Sequence, residues 1–133
     1  MRITLTTLQQ HVKNNNKFSV LTCYDATFAK ILEGAGVDVL LIGDSLGNVL
    51  KGESTTLSVT LDDMIYHTRC VSSGSNRALI MADMPFGSYQ QSPQQAFDNA
   101  SKILAAGAHM VKIEGGQVMA ETTAFLTQRG IPV

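Results

Sequence analysis

Gly36-Val37-Asp38-Val39-Leu40-Leu41-Ile42-Gly43 decides the fold, because the chain says it again: Gly107-Ala108-His109-Met110-Val111-Lys112-Ile113-Glu114 has the same form. Each run is short, aliphatic on both faces, and follows a helix-period segment that ends in Ala-Gly. A brief run apolar on both faces is a strand buried in a parallel sheet. Two copies of one step point to a fold built from repeated strand-helix units.

Working outward, further strands fall at Phe18 to Thr22, at Ala78 to Met81 and, opening, at Ile131. Helix-period segments lie between them. Asp25 reads as the N-cap of a helix with Phe28, Ile31, Leu32 and Ala35 on its buried face and Gly34 and Gly36 near its end. Thr60 and Asp63 form a capping box ahead of Leu61, Met64, Ile65, Thr68 and Val71, with Gly74 as the stop. Ser92-Pro93-Gln94-Gln95 starts a third helix, with Ala96, Phe97, Ala100, Ile103 and Leu104 inward. A fourth runs from about Gln117 to Gly130, with Val118, Met119, Thr122, Phe125 and Leu126 inward. Before them, Thr7 to Val12 is amphipathic and Lys13 to Lys17 polar, so the ordered core is expected to begin at Phe18.

Strict alternation of strand and helix with right-handed crossovers gives an α/β class and a parallel sheet. Four units and the start of a fifth strand are about half of an eight-stranded TIM barrel of roughly 250 residues. Residues 1–133 are therefore expected to be the N-terminal half of a single TIM-barrel domain, completed by a C-terminal half and assembling further. A chain of 133 residues, 44% hydrophobic and 16% charged, suits one compact domain. Its net charge of -1 and scattered cations argue against nucleic acid, and no apolar run approaches the roughly 20 residues of a membrane helix. Cys23 and Cys70 lie far apart and no signal-like segment opens the sequence, which fits a cytoplasmic protein.

In such folds, chemistry sits at the carboxyl ends of strands. There lie Gly43-Asp44-Ser45, Asp83, and Lys112 with Glu114 and Gly115-Gly116. Three acids on one rim would repel one another without a cation, and carboxylate oxygens with room for water suit Mg²⁺. Lys112 and Glu114 share a strand face, and a lysine there can grip a carboxylate. The site is expected to bind a small anionic oxygen ligand, with the metal polarising a carbonyl. Other residues have plainer readings. Asp25 is assigned to capping, and the methionines to packing. His67 and His109, without partners at ligand spacing, are assigned to core or surface roles. Gly115-Gly116 reads either as a turn or as open amides for an anion, and Tyr66 is undecided.

Gly43-Asp44-Ser45-Leu46-Gly47, Ala82-Asp83-Met84-Pro85-Phe86 and Val111-Lys112-Ile113-Glu114-Gly115-Gly116 resemble the signature segments of the ketopantoate hydroxymethyltransferase family, and Thr22-Cys23-Tyr24-Asp25 and Tyr66-His67-Thr68 fit too. The resemblance implies a (β/α)₈ enzyme of pantothenate synthesis. Such an enzyme carries a one-carbon unit from 5,10-methylenetetrahydrofolate to the α-keto acid 3-methyl-2-oxobutanoate. It implies Mg²⁺ on Asp44 and Asp83 with Glu114 as third acid, the keto acid bound by Asp44, Ser45, Asp83 and Lys112, and a homo-oligomer. The general base it implies is a glutamate beyond Val133. Asn48, Glu53, Ser54 and Ser58 depart from residues common in the family. Two other readings remain: a Mg²⁺-dependent lyase or mutase of the phosphoenolpyruvate mutase/isocitrate lyase type, and an inactive half-barrel scaffold.

Overall fold

The computed structural model describes all residues, Met1–Val133. Four strands, β1 (Val20–Thr22), β2 (Val39–Ile42), β3 (Leu79–Asp83) and β4 (Met110–Lys112), form one parallel sheet in sequential order. Helix α1 (Leu5–Lys13) precedes them; α2 (Ala26–Gly34), the short α3 (Leu46–Val49) with α4 (Leu61–Gly74), and α5 (Pro93–Ala105) make the crossovers. A 3₁₀ turn (Gly116–Met119) and α6 (Ala120–Gln128) follow β4.

The expected caps are in place. Asp25 accepts the Phe28 N–H, Thr60 and Asp63 close a reciprocal box, and Ser92 accepts the Gln95 N–H with Pro93 in the first turn. Each satisfies N–H groups that a helix start would otherwise leave open.

Strand alternation divides the sheet between two apolar clusters. Leu40, Ile42, Ile80, Ala82 and Val111 point to the helices and join the main core with Met64, Val71, Ala100, Ile103 and Leu126. Val39 and Leu79 point to the other face, where α1 covers them with Ile3 and Leu8. The core therefore begins before Phe18, contrary to expectation. Leu8 is buried and Arg2 ties the amino terminus to the Ser75 and Ala78 carbonyls.

Four further expectations are corrected. Phe28 and Ile31 are each 57% exposed, because α2 meets the end of α4 through Ala26 and the turn before β3 through Glu33 instead. Gly74 makes that contact possible: a Cβ there would lie 2.7 Å from the Ala26 Cα. Val118 is exposed because the 3₁₀ turn advances about 120° per residue and rotates it off the face that α6 buries. Val20 to Thr22 are exposed rather than buried, since β1 is an edge strand paired only with β2. At the other edge Ile131–Val133 is not a strand, although the Val111 N–H already donates to the Pro132 carbonyl at 3.0 Å.

Candidate active site

Parallel register builds the site. Asp83 is the Cα partner of Lys112 across β3 and β4, and residues paired in register point to the same side of a sheet. Lys112 Nζ donates to Asp83 Oδ1 at 2.9 Å and to Glu114 Oε1 at 2.8 Å. One strand earlier, Ile42 ends β2 and Gly43 turns the chain so that the Asp44 N–H donates to Asp83 Oδ2 at 3.0 Å. A Cβ on Gly43 would press within 2.7 Å of Ser45 Oγ and 3.7 Å of Asp83 Oδ2, so glycine lets these groups close on one another.

Asp44, Asp83, Lys112 and Glu114 line a cavity of about 150 Å³ at the carboxyl ends of the strands. Thr56 and Leu57 from the loop ahead of α4, and Met84, Phe86 and Tyr89 from the loop after β3, form the rest of its wall. Ser45 stands beside it rather than in it, its Oγ 2.8 Å from the Tyr24 hydroxyl. Tyr24 is held in turn by His67, whose Nδ1 lies 2.7 Å from the Tyr24 carbonyl oxygen. His67 thus serves as a brace for this segment.

The electrostatics are uneven. Burial pushes the Asp83 carboxyl up, and its bonds to Lys112 and the Asp44 N–H only partly offset that. Burial alone would lower the Lys112 ammonium, but the Glu114 and Asp83 carboxylates outweigh it and push its pKa up to about 12. Glu114 is held below its usual range by Lys112. The asymmetry follows exposure: the Asp83 side chain is 8% exposed and that of Lys112 is 37%.

The three acids expected as metal ligands share the cavity, but no three His, Cys, Asp or Glu side chains gather as a group that could hold a metal ion. Lys112 stands between Asp83 and Glu114 and is bonded to both. Tyr89 escaped the sequence reading; its signal was a lone aromatic in the polar stretch Gly87 to Ser92. Leu57 gave no signal, because a loop residue is brought to the rim only by the tertiary fold.

The sequence model of the ketopantoate hydroxymethyltransferase family matches residues 2–133. The chain belongs to that family. It is 67% identical over 132 residues to a 3-methyl-2-oxobutanoate hydroxymethyltransferase of Nitrosomonas europaea, covering 99% of this chain and 49% of that protein. To the Chromobacterium violaceum protein of the same name it is 58% identical, covering 100% of this chain and 51% of the relative. The chain spans about half the length of the curated relatives it matches.

Among solved structures, 2,3-dimethylmalate lyase, a PEP mutase/isocitrate lyase superfamily member, matches with a TM-score of 0.69 at 19% identity, over 98% of this chain and 49% of that one. Oxaloacetate acetylhydrolase matches at 0.65 and 14%, over 97% and 50%. At such identities the likeness establishes the fold alone: the family chain has the parallel α/β arrangement of these TIM barrels, over about half their length.

Proposed function

We propose that the chain is the metal- and keto-acid-binding N-terminal half of a single TIM-barrel domain. The completed protein would transfer a hydroxymethyl group from 5,10-methylenetetrahydrofolate to 3-methyl-2-oxobutanoate, giving 2-dehydropantoate. The observation that carries this is the register-paired Asp83 and Lys112, sharing one cavity with Asp44 and Glu114. Family membership and the name its relatives carry support the substrate.

The cavity's charge suits a divalent cation. Three carboxylates face one ammonium, and the donors are hard oxygens. Asp44 and Asp83 would hold Mg²⁺, with Glu114 as the third acid of the site. A neighbour of the same fold, phosphonopyruvate hydrolase, was crystallised with oxalate and Mg²⁺. Bound there, Mg²⁺ would supply a Lewis acid for the keto acid's oxygens and so acidify its C3–H.

The chain's own residues do the rest of the binding. Lys112, held charged by two carboxylates, offers an ammonium to the substrate carboxylate. Ser45, held by the Tyr24 hydroxyl beside the cavity, would add a hydroxyl to the keto acid's binding. Met84, Leu57 and Phe86 give apolar wall for a branched tail. The base that removes the C3 proton belongs, on this reading, to a glutamate of the C-terminal half. Assembly as a homo-oligomer in the cytoplasm completes the proposal; no helix here is long and apolar enough to cross a membrane.

The test is binding and exchange. Mg²⁺ and 3-methyl-2-oxobutanoate are titrated by calorimetry into the chain alone and into the protein extended to the length of its relatives, and deuterium exchange at C3 is followed by NMR. Exchange that needs the second half and disappears in Asp83→Ala supports the reading. Absence of both binding and exchange in the extended protein would sink it, and the lyase and scaffold readings would return.

A further inference from the structure

Tyr89 is 5% exposed, and its phenol oxygen accepts the Glu114 N–H at 3.1 Å. A phenol also carries a donor proton, and this one has no acceptor within the protein; the Glu114 bond is the hydroxyl's one partner. The ring is firmly placed. Ser88 Oγ donates to the Pro85 carbonyl at 2.6 Å, Asn99 donates to the Ser88 carbonyl at 2.8 Å, and Gln95 donates to the Gly87 carbonyl at 3.0 Å. Helix α5 thus clamps both residues that precede Tyr89.

Donors are scarce where the ring ends. Lys112 already directs two of its three N–H bonds to Asp83 and Glu114. Both oxygens of Asp83 are taken, by Lys112 and by the Asp44 N–H. We propose that Tyr89 is a substrate-binding residue: its O–H donates to an oxygen of the α-keto acid while its oxygen accepts from Glu114. Accepting the Glu114 N–H polarises the phenol and strengthens it as a donor. The ligand thereby closes a bond that the protein leaves open. This inference rests on the keto-acid reading above.

The experiment uses the protein extended to the length of its relatives. Calorimetry gives Kd for Mg²⁺ alone and for 3-methyl-2-oxobutanoate with Mg²⁺ present, in wild type and in Tyr89→Phe. Loss of a hydrogen bond to a charged or polarised oxygen weakens keto-acid binding by about tenfold, while Mg²⁺ alone binds as before. An unchanged keto-acid Kd refutes the inference, as does an equal loss for metal and acid, which would make Tyr89 only a brace for Glu114. Should Tyr89→Phe fold poorly, 3-fluorotyrosine at the same position keeps the shape and makes the phenol a stronger donor and weaker acceptor. Tighter keto-acid binding then supports donation, and weaker binding counts against it. If wild type itself binds no keto acid, the functional reading fails first and takes this inference with it; if only the variants disagree, this inference fails alone.

Discussion

Removing the Glu33 carboxylate should loosen the turn that delivers β3 to the sheet. Its oxygens accept from Ser75 Oγ at 2.6 Å and from the Asn76, Arg77 and Ala78 N–H groups at 3.0, 2.8 and 2.9 Å. Burial pushes this carboxyl up, but those four donors outweigh it and hold its pKa at about 2, against an ordinary 4.5. At about 1.4 kcal/mol per tenfold, that difference has a ceiling of roughly 3.4 kcal/mol. The side chain is partly open to water, so about 2 kcal/mol is a fairer figure. Because the folded pKa lies below the unfolded one, the contribution is complete above pH 4.5 and is lost as pH falls toward 2. Urea denaturation of Glu33→Ala should show the full loss at pH 7 and a visibly smaller one at pH 3. A loss below about 0.5 kcal/mol at pH 7, or one that ignores pH, would refute the reasoning.

Other perturbations probe the packing and the site. Gly74→Ala forces a methyl against the Ala26 backbone and should lower stability by about 2 kcal/mol, seen as a lower midpoint in the same denaturation. Ser92→Ala removes the cap of α5 and should cost about 1 kcal/mol. Burial, with Arg2 nearby, lowers the pKa of His109, whose Nδ1 accepts the Ile80 N–H at 3.0 Å. Its neutral form therefore supports the fold above the ordinary 6.5, and stability should slope downward as pH drops below that value. His109→Asn, which keeps an acceptor, should flatten the slope. Lys112→Met should weaken keto-acid binding at least about tenfold by calorimetry, since it strips the cavity of its one ammonium, and should also lower the denaturation midpoint, since it leaves the buried Asp83 carboxylate unpaired.

Much of the architecture was legible because local chemistry and global fold agree. Asp25, Thr60 and Ser92 cap the helices their spacing announced, and the two echoing runs became β2 and β4. Errors arose where tertiary contact overrode periodicity. The helical pattern at Phe28 and Ile31 promised a buried face, but Gly74 draws α4 against Ala26 and turns those side chains outward. At the candidate site, Asp44, Asp83, Lys112 and Glu114 were readable as strand-end residues, and they do converge on one cavity. The Lys112 bridge between two acids was not readable, since it depends on strand register, and neither was Tyr89, which a loop returns to the rim.

Register also makes the charge pattern a check on assembly. A slip of β4 by one residue against β3 would turn Lys112 toward the helices and put an aliphatic side chain opposite Asp83, leaving a buried carboxylate with no ammonium beside it. Misaligned sheets are thereby penalised at the cavity itself, so a molecule that has settled into its stable form already has the charges of the proposed site in register.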